Sequence, residues 1–266
     1  MSTTPLPPVD RTLMDRAVEW TQEAGELTLG WFNHPELDVD RKGDGSPVTQ
    51  ADRAAERFLR EQIEANYPDD AIHGEEEEDK EGTSGRRWVI DPIDGTQAFT
   101  HGVGTFSNLL YLQDEHGPAV GVINVPAMGE CVWAGRGLGA FLDGAPCRVS
   151  ERTKLQGSFL ACTGFHGWST EMFGRLQEEG IRLRTWGDAY GYALVASGRV
   201  EAMSDPVMAW WDLAAMLVII PEAGGSITAW DGSDPAQPNG TDGQYGYSAI
   251  ASNAAFHDEL VRLLND

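Results

Sequence analysis

Basic side chains are scarce in this sequence. Nineteen lysines and arginines stand against 42 aspartates and glutamates, a net charge of −23 over 266 residues. A field of that sign repels nucleic acid and anionic membranes, which argues against both as partners. It would also repel a free phosphate ester. A site for such an anion would need cations, and with so few lysines and arginines the natural source is metal ions. The plainer account of the charge is solubility or adaptation to salt. Long apolar runs are also missing: no stretch of about 18 apolar residues occurs, so no membrane span is expected. The opening MSTTPLPPVD has neither the basic segment nor the apolar centre of a secretion signal and reads as a frayed tail. Cysteine is limited to Cys131, Cys147 and Cys162, with no CxxC and no zinc-type spacing. That pattern excludes a disulfide framework and suits buried thiols in a reducing cytosol, so a cytoplasmic protein is expected.

What is present is enough apolar material, 41%, to bury a substantial core in one large domain or two closely packed ones. Leu13, Ala17, Trp20, Ala24, Leu27 and Trp31 recur every three or four residues, which predicts a helix over 12–32. A Gly- and Pro-containing loop, RKGDGSP, follows. A second helix is expected over 49–66, with Pro68 just beyond its end. Short strands between Gly-rich turns are expected at 88–90, 107–112, 120–125, 131–133 and 140–142. From about residue 157 the pattern becomes α/β. Strands are expected at 158–162, 200–203 and 226–229, and helices at 171–179, 188–197, 210–222 and 254–264. A long polar loop is expected over 231–246. The division is soft: residues 1–150 form an α+β part and residues 151–266 an α/β part of one compact unit.

The acids are not evenly spread. Asp91-Pro-Ile-Asp94-Gly95-Thr96 directly follows the strand Trp88-Val-Ile90. A strand ending in acids points them at one volume, and Pro92 stiffens the link between them. Gly95 permits close backbone approach, and the Gly95 and Thr96 amides can meet an anion. Two carboxylates beside such a nest suit a hard metal bound together with a phosphate. The competing account is an acidic β-turn, since Asp, Pro and Gly are ordinary turn residues. Gly74-Glu75-Glu76 opens an acidic run whose later members, Glu77, Glu78 and Asp79, read as solvated surface. In Lys42-Gly-Asp44-Gly-Ser46-Pro-Val-Thr49-Gln-Ala-Asp52, Thr49 can cap a helix with Asp52 in its first turn. Asp212, after Trp210-Trp211, is a lone acid entering an apolar helix. Burying it needs a partner, either a metal or a helix N-terminus.

In this order the segments resemble the inositol monophosphatase superfamily: K-x-D-x-S-P-V-T-x-A-D at 42–52, G-E-E at 74–76, W-V-I-D-P-I-D-G-T at 88–96, G-x-x-x-x-P at 121–126, W-D at 211–212 and E-A-G-G at 222–225. The resemblance spans most of the chain. It implies a layered αβαβα sandwich of the inositol monophosphatase / fructose-1,6-bisphosphatase type and two or three Mg²⁺ per site. It also implies a small-molecule phosphate ester as substrate, and often a homodimer. Carried over by motif, Glu75, Asp91 and the Ile93 carbonyl would hold one Mg²⁺, and Asp91, Asp94 and Asp212 a second. Gly95 and Thr96 would cradle the phosphate. Glu75 and Thr96, with Asp52 nearby, would orient the attacking water, and Lys42 and Asp44 would ride on a mobile loop. The chemistry agrees: oxygen ligands without His or Cys favour Mg²⁺ over zinc, and metal pairs suit in-line attack on a phosphate monoester.

Within the superfamily, R-T-W-G-D-x-Y-G-Y from Arg184 and D-P-x-M-x-x-W-D at 205–212 look like histidinol-phosphate phosphatases. Arg184, Gly187, Asp188 and Asp205 are the expected substrate-side residues. Two acids aimed at a leaving group suit a cation such as an ammonium or imidazolium. A helix N-cap is the plainer role for Asp188, and a surface ion pair for Arg184. Gln97-Ala98 departs from the commoner family pattern beside the site. Inositol-1-phosphate is the runner-up substrate, followed by a nucleotide 3′-phosphate or a sugar bisphosphate, for which the pocket segments are poor in lysine. A silent metal-binding protein and a calcium-stabilised structural domain are the rivals of another class.

Overall fold

The computed structural model describes residues 6–43, 45–239 and 245–266. Asp44 and the centre of the 231–246 loop lie outside the described residues. The first helix, α1 (Arg11–Trp31), begins where the Asp10 carboxylate accepts the Thr12 amide at 2.9 Å. The segment read as a loop carries a small antiparallel hairpin, β1 (Val39–Arg41) and β2 (Pro47–Thr49). It leads into α2 (Gln50–Asn66). Thr49 caps that helix, and Asp52 returns the bond by accepting the Thr49 amide at 2.8 Å. This reciprocal box satisfies two otherwise orphaned donors.

The larger sheet has seven strands, adjacent in chain order: β3 (Ala71–Gly74), β4 (Arg87–Asp94), β5 (Ser107–Asp114), β6 (Gly117–Val125), β7 (Glu130–Gly135), β8 (Gly139–Leu142) and β9 (Ala145–Cys147). β3 runs parallel to β4 and the remaining pairs are antiparallel. A one-turn helix, α3 (Thr96–Thr100), follows β4. The second half supplies β10 (Phe159–Ala161), α4 (Thr170–Glu178), β11 (Arg182–Arg184), α5 (Asp188–Ala196), β12 (Ala202–Met208), α6 (Trp210–Ala214), α7 (Met216–Glu222), β13 (Gly225–Thr228), β14 (Tyr247–Asn253) and α8 (His257–Asn265). Its five strands lie in the order β11-β10-β12-β14-β13.

Strand alternation sorts the side chains into layers. Trp88, Ile90, Leu110, Leu112, Val120 and Val122 pack one way, against Trp20, Leu59 and Ile63 of α1 and α2. Val89, Leu109, Tyr111 and Ile123 face the other way, into a core shared with Tyr192, Ile219 and the inner residues Met203 and Ala251 of the second sheet. The outer face of that sheet, Leu160, Ala202 and Ile250, is covered by Leu176 of α4 and Leu260 of α8. The result is an αβαβα sandwich. Each fully buried large side chain contributes about 1.5–3 kcal/mol.

Two expected elements differ, and β14 was not expected. The helix expected over 210–222 is two pieces, broken at Ala215 although its backbone stays helical (φ −61°, ψ −33°). Its carbonyl lies so close to β6 that a Cβ on Gly121 would fall on it. The strand expected at 200–203 runs on through Asp205 to Met208. β14 lies between the loop expected over 231–246 and the closing helix, where no element was expected, and is a partner of both β12 and β13.

Candidate active site

The pairing of β4 explains why its two acids work together. Residues three apart on a regular strand point to opposite faces. Here Asp91 pairs with Leu109 and Asp94 with Ser107, so β4 spends one more residue than β5 between those points. That bulge resets the alternation, and both acids line one cavity. The acids are therefore carried by the strand itself, not by a turn after it. Pro92 sits in the bulge, where a missing N–H does no harm, and its carbonyl accepts Asn108 Nδ2 at 2.6 Å.

The cavity measures about 350 Å³ and is lined by Glu75, Asp91, Ile93, Asp94, Gly95, Thr96, Asp188 and Asp212 among others. One carboxylate oxygen each from Asp91, Asp94 and Asp212 lies within 4.8 Å of the others. Glu75 arrives on the parallel pairing of β3 with β4, which sets Gly74 beside Ile90. Its Oε1 is 2.6 Å from Lys42 Nζ, which also lies 2.6 Å from Glu76 Oε1. Asp212 Oδ2 accepts the Ala209 amide at 2.9 Å at the start of α6, so the helix-terminus reading and the cluster hold together. Gly95 has φ +78°, and a Cβ there would sit 2.9 Å from Asp188 Oδ2. Only glycine meets both demands.

A smaller cavity of about 80 Å³ shares Asp94, Thr163, Asp188 and Asp212 with the first and adds Asp205. Asp205 accepts the Thr163 amide at 3.0 Å and the Tyr192 hydroxyl at 3.1 Å. Asp188 is not an N-cap. Gly187 holds that position, Asp188 has φ +52°, and its amide donates to Thr163 Oγ1 at 2.8 Å. The Ala189 amide in the first turn of α5 is met instead by Asp94 Oδ2 at 2.6 Å, which also accepts Ser107 Oγ.

Other expected residues sit apart or are otherwise engaged. Asp52 is fully buried and accepts Thr49 Oγ1 at 2.6 Å, whereas the Thr96 hydroxyl donates to the Ile93 carbonyl at 3.0 Å. The Arg184 guanidinium lies over the rings of Phe159 and Trp186, and Arg184 does not line either cavity. Glu77 is half-buried and paired with Arg57 at 2.7 Å, so it is not plain solvated surface; Glu78 is exposed. Thr163 was not singled out in the sequence, and Tyr192 figured there only as the last residue of the R-T-W-G-D-x-Y-G-Y run, without a role. Thr163 follows β10 at the C-terminal end of a parallel strand, a common place for site residues, and that was its only signal.

Burial dominates the electrostatics. It drives the Asp91 carboxyl well above the usual range, and the nearby Glu75, Asp94 and Asp212 add to the effect. Asp94 is raised in the same way by burial, then by Asp188 and Asp212. Burial lifts Glu75 to about 8 against the pull of Lys42, and Asp188 to about 7 with help from Asp205. Burial likewise takes Asp212 to about 6 and Asp52 to about 6, each opposed by its hydrogen-bond donors. Burial works against the charge on Lys42, but Glu75 and Glu76 outweigh it and hold the ammonium more firmly charged than usual.

Crowded, buried carboxylates need either protons or a cation. The donor set fits a metal ion: all oxygens, three converging acids, and an Asp91 Oδ1 that is buried without a hydrogen-bond partner. A larger cavity of about 470 Å³ lies against α1 between Asp15, Glu19 and Glu26, and no metal-type cluster forms there among the described residues.

The sequence model of the inositol monophosphatase family matches residues 10–266. A histidinol-phosphatase of Chlorobaculum parvum is 43% identical over 213 residues, 79% of this chain and 82% of that one. Another, of Mycobacterium tuberculosis, is 38% identical over 258 residues, 94% and 96% of the two chains. Among solved structures, the extragenic suppressor protein suhB of Bartonella henselae superposes with a TM-score of 0.85 at 30% identity, covering 96% of this chain and 99% of its own. An IMPase of Thermotoga maritima gives 0.83 at 30% identity, covering 96% and 97%.

Proposed function

The chain belongs to the inositol monophosphatase family, and from that premise we propose that it is a Mg²⁺-dependent phosphomonoesterase that hydrolyses L-histidinol phosphate to L-histidinol and phosphate, a step of histidine biosynthesis. The observation that carries this reading is the convergence of Asp91, Asp94 and Asp212 in a cavity that Asp188 also lines, next to a smaller cavity that shares Asp94, Asp188 and Asp212 and adds Asp205. The relatives named histidinol-phosphatase support the choice of substrate.

Glu75, Asp91 and the Ile93 carbonyl would hold one Mg²⁺, and Asp91, Asp94 and Asp212 another. When bound, the ions would neutralise the phosphate oxygens, ease ionisation of a water and offset charge on the leaving oxygen. The chain supplies position and selectivity. Asp94 spends one oxygen on Ala189 and Ser107, which fixes the carboxylate's direction. The Gly95 and Thr96 amides would receive the phosphate. Glu75 and Thr96 would orient the attacking water, with Asp52 beside them. The water oxygen would bond to phosphorus as it gives up a proton, the P–O ester bond would break, and the proton lost by the water would balance the one taken up by the leaving alkoxide. Asp188 and Asp205 would face the leaving group, where a cationic amine or imidazole suits a carboxylate better than a polyol hydroxyl does. Lys42 would lift from Glu75 with its loop as metal enters.

The resemblance also supports a cytoplasmic homodimer, which sedimentation would check for its assembly. The substrate assignment rests on phosphate release with Mg²⁺ across a panel. kcat/KM should be greater for histidinol phosphate than for inositol-1-phosphate, a nucleotide 3′-phosphate or fructose bisphosphate. A preference for inositol-1-phosphate would replace this reading with the runner-up.

A further inference from the structure

Beneath the Glu75–Glu76 segment lies a buried ion pair that the sequence did not flag. Glu56 of α2 is fully buried, and Arg60, one turn on, is 6% exposed. Arg60 Nε donates to Glu56 Oε1 at 2.8 Å. Such a pair is seldom kept for stability alone, because desolvation offsets much of the attraction. This one has further bonds, and all go to the same place. The Glu76 amide donates to Glu56 Oε2 at 2.8 Å and the Glu77 amide to Oε1 at 3.1 Å. Arg60 Nη2 donates to the Glu77 carbonyl at 3.0 Å. The seat is tight, since a Cβ on Gly74 would fall on Glu56 Oε1. Three consecutive backbone units after β3 are thus clamped from below, while Glu75 reaches toward Asp91 above.

We propose that the Glu56–Arg60 pair is a positioning device that presets the Glu75 arm for metal, an inference that rests on the reading of Glu75 as a metal ligand. Neither residue lines the cavity. Their effect is on how much ordering a metal must impose on Glu75 when it binds. Without the clamp the arm samples other positions and each binding event bears the cost of selecting one.

The test is direct Mn²⁺ titration of the metal-stripped protein, followed by electron paramagnetic resonance in the absence of substrate. Glu56→Gln keeps the shape and one acceptor but loses the charge that holds both amides and Arg60. Its Mn²⁺ affinity at one site should fall by about 10–100-fold, the usual range for losing a group that orients a ligand, and excess Mg²⁺ should recover turnover. A lower melting temperature with unchanged Mn²⁺ affinity would overturn the proposal and leave the pair a structural feature only. Should Glu56→Gln fail to fold, the double variant Glu56→Gln/Arg60→Met removes the stranded charge and must show the same weakened binding. If it binds Mn²⁺ like the wild type, the proposal fails. Wild-type protein that binds no Mn²⁺ would end the reading of Glu75 as well, so the two failures are distinct.

Discussion

Asp91 has a carboxylate oxygen that is buried and receives no hydrogen bond, in a side chain surrounded by other acids. That combination is costly unless a cation or a proton answers it. Replacing it by Asn relieves the repulsion and removes a ligand together. We therefore expect Asp91→Asn to lower kcat by more than about 100-fold while the metal-free melting temperature holds or rises; full activity in an assay of phosphate release would refute the assignment. The same crowding sets a pH dependence. A carboxyl whose folded pKa exceeds its unfolded value stabilises the fold at low pH, and that contribution is lost as pH rises through the folded pKa. With Asp212 at about 6, Asp188 at about 7 and Glu75 at about 8, the metal-free protein should melt at progressively lower temperature from about pH 5 to pH 8.5. Saturating Mg²⁺ should flatten or reverse that slope, because ions bind the deprotonated acids. Thermal scans across pH with and without Mg²⁺ check this, and identical slopes would contradict it. The types of these residues were legible in the sequence; their partners were not. Asp94 meets the Ala189 amide across 95 positions, and no local pattern announces that bond.

At the level of elements, periodicity in the sequence indicated α1 and α2 because each has one clean apolar face and clear end signals. β14 was missed because its Ser-Ala-Ile-Ala-Ser core has weak strand character, and its burial comes from β12 on one side and β13 on the other. The bulge in β4 was equally hidden, since a spacing of three suggests opposite faces until the pairing with β5 is known. The turn that follows is the most sensitive joint. Gly95 combines a left-handed backbone with contact to Asp188, so Gly95→Ala should destabilise by roughly 1–3 kcal/mol in chemical denaturation and push Asp188 off its position. Its kcat/KM for histidinol phosphate should fall more than its stability alone explains. A variant of wild-type stability and activity would show that the glycine is dispensable.

Across the whole molecule, one apolar core draws side chains from both sheets, and the carboxylate cavity opens above it where β4, α5 and α6 meet. No described helix is long and apolar enough to cross a membrane. The net charge of −23 repels itself in the compact state. Salt shortens the reach of that repulsion, to about 8 Å at 0.15 M, so the metal-free melting temperature should rise between low salt and 0.5 M KCl; a fall would mean that surface ion pairs outweigh the repulsion. Composition made this charge plain, but it could not say that five of the acids gather round one pocket. The most direct measurement of that gathering is anomalous diffraction from crystals grown with Mn²⁺. The account predicts peaks among Asp91, Asp94 and Asp212 and beside Glu75. Manganese bound only elsewhere, with those four acids carrying none, would contradict it.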